Sequence, residues 1–389
     1  MKQKTKFFNR QSRAHVLWLL LLLPLILTSL PQDSRAAGPT YVSGNITGDT
    51  TWAKDGSPYI VTGNVTVRNG AQLIISPGVT VKFNKGKRLN VSRYDSSGAL
   101  SAVGTPEEKI VFTSNAADPA PGDWGRIEFE RRTITSDKMT YLKYCTIEYG
   151  GSSENGNIRL YKNNGVIISN CEVRYSGSCG LKLLDAYPTI TGCKIYANQS
   201  HGIYSDNDGG PHPAMTIVDN EFADNGRAAI STNAYINSIS GSIGSGDGPN
   251  YIQIRNGSIK SDCTWEKGLP YVITDSVTIQ DGALLTISPG VTVKFNKVES
   301  LNVSRYDSSG GLYAVGTPEE KIVFTSNAAD PAPGDWYRIN FDRNTITSDG
   351  PDKKASCLRY CTIEYGGYGG YGNIRLYKNN GVIISNCEV

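Results

Sequence analysis

The chain contains a near-copy of itself. Residues 76–137 match residues 288–349 without a gap at an offset of 212, with nine differences in 62 positions. After a short insertion the match resumes at offset 216, where CTIEYGG at 145–151 recurs at 361–367 and GNIRLYKNNGVIISNCEV at 156–173 recurs at 372–389. In so recent a tandem duplication, the residues the copies share say little about function. A shorter period runs inside the first copy. Aligning YLKYCTIEY, VIISNCEVRY, TITGCKIYA and MTIVDNEFAD places Leu142, Ile168, Ile190 and Ile217 in one column and Cys145, Cys171, Cys193 and Asn220 in the next. Ile147, Val173, Ile195 and Phe222 form a third column, and the Cys/Asn column advances by 26, 22 and 27 residues. Each period holds two or three short runs of alternating apolar residues separated by Gly, Asn, Asp and Ser, and helical spacing is absent. Such a period without helices predicts an all-β chain, one repeat per coil of a parallel β-solenoid, with equivalent strands ~4.8 Å apart. Leucine-rich repeats share the period but require a Leu-x-x-Leu-x-Leu pattern that is missing.

The order of segments carries a family resemblance. TWAKDGSPYIVTGNVTVRNGAQLIISPGVTVKF leads to GTPEEKIVFTS, GDWGRIEF, YCTIEYGG and coils such as GVIISNCEV and SHGIY. This progression resembles secreted right-handed parallel β-helix repeat proteins of the pectin-lyase-like superfamily over nearly the whole chain after residue 36. The resemblance implies a right-handed parallel β-helix. It does not imply one activity, because that superfamily includes lyases, hydrolases and epimerases beside non-catalytic surface proteins. The superfamily's hydrolase set of Asn-Thr-Asp, Asp-Asp, Gly-His-Gly and Arg-Ile-Lys does not occur here in order, and the pectate-lyase and alginate-epimerase signature strings are absent.

Residues 1–36 read as an export signal: basic Lys2, Lys4, Lys6, Arg10 and Arg13, an apolar run from Val16 to Leu30, then Ser34-Arg35-Ala36 as a cleavage site. A run of ~22 Å interrupted by Pro24 is short for a membrane span. The expected destination is secretion or the cell surface, with no transmembrane span in the mature chain. The leader holds six of the 39 basic residues and one of the 36 acidic ones, leaving 33 basic and 35 acidic residues and a net charge of −2. That balance argues against a nucleic-acid partner. We place the first solenoid unit at 37–237, a Gly/Ser-rich junction at 238–250, and the second unit at 251–389. The second unit stops inside a strand that three further coils follow in the first, so the expectation is a truncated chain.

Eight cysteines in an exported protein raise the question of disulfides. Cys145, Cys171, Cys193, Asn220, Cys361 and Cys387 instead share an inward column, which predicts a structural ladder of small buried side chains. Of the two histidines beyond residue 36, His201 and His212 flank Asp206 and Asp208 in a polar stretch. Aligning GNIRLYKN, CGLKLLDA and HGIYSDND turns Arg159, Lys182 and Tyr204 outward on successive coils. These residues frame two readings. The leading one is a rigid display scaffold binding an extracellular polysaccharide or surface protein, with Tyr204, Tyr368 and Tyr371 as contact residues. The alternative is a polysaccharide lyase or hydrolase using Arg159, Lys182 and Asp206, with His201 or His212 assisting. No cofactor is expected. Ca²⁺ is the one candidate ion, at Asp118 and Asp123 or Asp330 and Asp335, although two carboxylates fall short of the six to eight oxygens it prefers.

Overall fold

The computed structural model describes residues 38–207, 215–234, 238–347, 355–379 and 381–389. The expected export signal and His212 lie outside these residues. The described chain is built from parallel strands, with no α-helix among the described residues. One coil shows the plan: Cys145–Glu148 lies on a first face, Ile158–Tyr161 on a second and Asn164–Ser169 on a third. The next coil repeats it with Glu172–Arg174, Leu181–Leu184 and Tyr187–Thr191, each strand pairing in parallel with its predecessor. The fold is a right-handed parallel β-helix.

Alternation within each strand decides what is buried. Ile147, Val173, Ile195 and Phe222 stack on the first face, Ile158, Leu181, Ile203 and Ile230 on the second, and Leu142, Ile168, Ile190 and Ile217 on the third. All twelve are fully buried and form one core with their neighbours. The corner from the third face to the first is turned by a single left-handed residue on successive coils: Tyr144, Asn170, Gly192, Asp219 and Gly241. Asn, Asp and Gly accept that conformation at little cost, which explains their recurrence before the Cys/Asn column.

Just past that corner the coil turns main-chain carbonyls inward, and the ladder side chains answer them. Cys145 donates to the carbonyl of Ala102 at 3.4 Å and Cys171 to that of Leu142 at 3.3 Å. Cys193 reaches the carbonyl of Ile168 at 3.6 Å, and Asn220 Nδ2 that of Ile190 at 3.0 Å. Cys361 and Cys387 make the same bond in the second copy, to Ala314 at 3.4 Å and Leu358 at 3.5 Å. All eight cysteines are free thiols, and burial pushes Cys171 well above the ordinary thiol range. Cys193 is also raised, first by its neighbour Cys171 and then by burial. A second polar ladder closes the corner between the first and second faces. Asn198 Nδ2 bonds the Val173 carbonyl at 3.2 Å and Asn225 Oδ1 at 2.9 Å, and Asn157 Nδ2 bonds the Ile147 carbonyl at 3.1 Å.

The stretch 238–250, expected as a junction, carries strands of the solenoid itself. Ser238–Ser240 extends the third face and Ile243–Ser245 the first. There the first face ends, leaving Ile243 59% exposed. The second face continues through Ile252–Ile254 into Tyr271–Ile273 and Thr292–Phe295. By sequence, Thr292–Phe295 is the copy of Thr80–Phe83, which sits on the first face. A new sheet starts at Gly257–Ile259, above Ala234, and runs through Val277–Ile279, Ser300–Val303, Arg338–Phe341 and Ile374–Leu376. The first-face strands of the second copy therefore stack on the second face of the first, while its third-face strands start at Cys263–Trp265, beside Ser238–Ser240.

Candidate functional site

The second face brings together most of the candidate residues of the first unit. Register places Arg159 beside Lys182 and Lys182 beside Tyr204, all outward. Next to them, at the turn before the strand, lies a depression of ≈ 430 Å³ whose lining includes Lys182, His201, Tyr204, Glu154 and Arg227. Lys182 Nζ donates to the Glu154 carbonyl at 2.9 Å and sits 5.8 Å from the centre of the Tyr204 ring. The His201 ring lies 5.6 Å from that of Tyr204, with Nδ1 3.2 Å from Ser200 Oγ.

The electrostatics of this groove follow from burial and from arginine. His201 is only 8% exposed, and burial pushes its imidazole down to about 4. The positive charges of Arg227 and Arg255 act in the same direction, against a hydrogen bond with Gln253. His201 is therefore neutral at pH 7. Arg255 lies over the Tyr204 ring, 4.3 Å from its centre, and donates to its hydroxyl at 2.8 Å. The same guanidinium stands 3.7 Å from Asp206.

Arg159 belongs to a different constellation. Its guanidinium is paired with Glu128, which also accepts Arg126 at 2.7 Å and has Arg88 at 3.9 Å. Glu128 is 4% exposed, so one buried carboxylate is shared among three arginines. Sequence reasoning found the outward row and missed Glu128, Arg227 and Arg255. Glu128 was readable in principle, since GDWGRIEF supplies the strand beneath Arg159. Arg227 and Arg255 come from later coils, and only the turn lengths bring them to the groove.

The remaining candidates have structural partners or stand apart. Asp123 Oδ2 accepts from Ser114 Oγ at 2.7 Å and the Ala120 amide at 2.9 Å, and Asp335 repeats this with Ser326 and Ala332. Asp118 and Asp330 are exposed. No group of three or more His, Cys, Asp or Glu side chains suited to a metal ion occurs among the described residues. Trp124 is fully buried, stacked on Phe83 with ring centres 4.0 Å apart, and Trp336 matches it on Phe295. Tyr368 and Tyr371 are 39% and 56% exposed on the loop 366–373.

The family model described as a pectate-lyase like beta helix domain matches residues 44–178 and 257–373, and that described as a right handed beta helix region matches residues 132–243. A stretch of 79 residues is 38% identical to "Protein bark beetle" of Drosophila melanogaster, covering 20% of this chain and 2% of that protein. No solved structure matches. The first model alone spans more than half of the sequence, and its two segments fall on the two copies, so the chain belongs to the pectate-lyase-like family of right-handed β-helix proteins.

Proposed function

We propose that this protein is a secreted or cell-surface scaffold whose stacked coils hold binding side chains at fixed spacing for an extracellular glycan or protein partner. The observation that carries this reading is the engagement of the residues an enzyme would need. Arg159 is ion-paired with Glu128, Asp206 faces Arg255, and Lys182 is tethered to the Glu154 carbonyl. A general acid or base must reach its substrate proton directly or through one water. These groups instead stabilise one another, which suits a rigid face better than a reaction centre. Strands stacked in parallel ladders supply the rigidity.

One feature favours a lyase or hydrolase: His201, held neutral, lines the same ≈ 430 Å³ depression as Lys182 and Tyr204. The test is to incubate the protein with acidic and neutral polysaccharides, with and without Ca²⁺, and to look for shortened chains by mass spectrometry. Intact glycans that remain bound are expected. Oligosaccharides that vanish with a Lys182→Ala or His201→Ala variant would overturn the scaffold reading in favour of catalysis.

A further inference from the structure

The third face differs from the rest of the solenoid in charge. It comprises the eight-stranded sheet that ends at Ser238–Ser240 and the five-stranded sheet that starts beside it at Cys263–Trp265. These thirteen strands hold two charged residues, Lys143 and Arg359, whereas the other 25 described strands hold thirteen. A sheet with one face in water ordinarily alternates apolar and polar residues. The third face keeps the alternation and leaves out the charge.

Register sets Ile74, Ser101, Tyr141, Ile167, Thr189 and Thr216 in one outward row. Thr264, Thr286 and Tyr313 form the matching row in the second copy. The row is open to water: Ile74 is 39% exposed and Tyr313 40%, with Val103 beside them at 37%. Both charged residues end their strands, at the rim, and Lys143 Nζ turns toward the corner, 5.5 Å from the centre of the Tyr144 ring. Divergence between the copies has respected the pattern. Of their nine differences, the two on this face, Ala99 to Gly311 and Ser101 to Tyr313, add no charge. Four of the other seven gain, lose or reverse one: Lys87 to Glu299, Arg88 to Ser300, Glu128 to Asn340 and Arg132 to Asn344.

A long uncharged strip of apolar and hydroxyl side chains marks an interaction surface. Two properties select its partner. First, an isologous contact lays a face on itself, which opposes like charges wherever the face is charged and opposes none here. Second, side chains that repeat every ~4.8 Å interdigitate best with a surface of the same period, as when two sheets pack ~10 Å apart. A second copy of this chain meets both conditions. The size also suffices: thirteen strands of three to six residues cover roughly 58 by 13 Å, about 750 Å², against the ~800 Å² per partner of a standard stable interface.

We propose that two copies of this protein associate face to face through their third faces. The pairing leaves the groove of Lys182, His201 and Tyr204 on the second face outside the interface, so it goes beyond the scaffold reading and holds whether that groove binds a glycan or cleaves one.

The test is sedimentation of the full chain over a range of concentrations, with no glycan present. A monomer–dimer equilibrium is expected. Thr189→Lys combined with Thr216→Lys places two charges near the middle of the face and should weaken association at least tenfold. Outward basic residues on adjacent coils are already carried by the second face as Arg159 and Lys182, so the variant should fold. Thr80→Lys, outward on the first face, should leave association unchanged. A second measurement needs no variant: Tyr313 and Tyr368 are 40% and 39% exposed, and hydroxyl-radical labelling of the native protein should fall at least threefold at Tyr313, and not at Tyr368, between monomer and dimer concentrations. A monomer at every concentration, a dimer weakened equally by Thr80→Lys, or equal labelling of Tyr313 in monomer and dimer would each overturn the proposal. So would protection of Tyr313 only on adding uncharged dextran or phosphatidylcholine vesicles, which would give the face to another occupant.

Discussion

His201 shows how a polar residue is tuned by the coil it sits in. It occupies the place held by Cys179 one coil earlier, and burial with two nearby arginines holds its imidazole at about 4. The unfolded chain binds this proton below about pH 6.5 while the folded one stays neutral until about 4, so the contribution to stability is complete above 6.5 and is lost as the pH falls through that window. Part of the ring remains open to water, so the loss is about 2 kcal/mol. The melting temperature of the native protein should drop between pH 7 and pH 4.5 by more than that of a His201→Gln variant; equal drops would show that the ring is charged in the fold. Other single residues have similarly fixed fates. Asn198 heads an Asn-x-Ser sequon yet is 1% exposed inside the polar ladder, and Asn90 is 7% exposed, so neither is open to glycosylation once folded.

Among elements, the strand starts of the second face show what limits the stacking of coils. Gly180 and Gly202 precede Leu181–Leu184 and Ile203–Asp206, and a Cβ at Gly180 would lie 2.7 Å from the Gly202 carbonyl oxygen. At Gly202 it would lie 2.6 Å from the carbonyl oxygen of Ala229 and 2.8 Å from the Phe222 ring. Main chain and a fully buried ring cannot give way cheaply. Gly202→Ala should therefore cost about 2 kcal/mol or more, by analogy with overpacked cores, and lower the urea midpoint without changing the slope. An unchanged midpoint would mean that the coils slide apart more easily than their packing indicates. The inward columns and the outward row of Arg159, Lys182 and Tyr204 were readable from alternation, because side chains in a strand have a period of two and the coils repeat in register. The approach of Arg255 to Tyr204 and Asp206 was not, since it depends on a later coil whose turn lengths differ.

For the molecule as a whole, the change of face near residues 243–259 joins the two copies into one ladder. Ile252 and Ile254, at most 1% exposed, carry the second face across it. In a solenoid each coil is stabilised by its neighbours, so coupling through this coil should make the copies unfold together. Ile252→Asp buries an unpaired charge there and should split one calorimetric transition into two, whereas a single transition, merely shifted to lower temperature, would mean that the copies couple elsewhere. The repeat period, the β-class, the inward columns and the outward row were all set by sequence alone, because they follow from the local alternation of apolar and polar residues and from the return of that pattern every coil. Tertiary structure decided the rest. Which carboxylate meets which arginine and whether 238–250 separates the units or joins them both depend on residues from different coils. Those contacts are governed by the path of each turn through space, and nothing in the periodicity of a strand records that path.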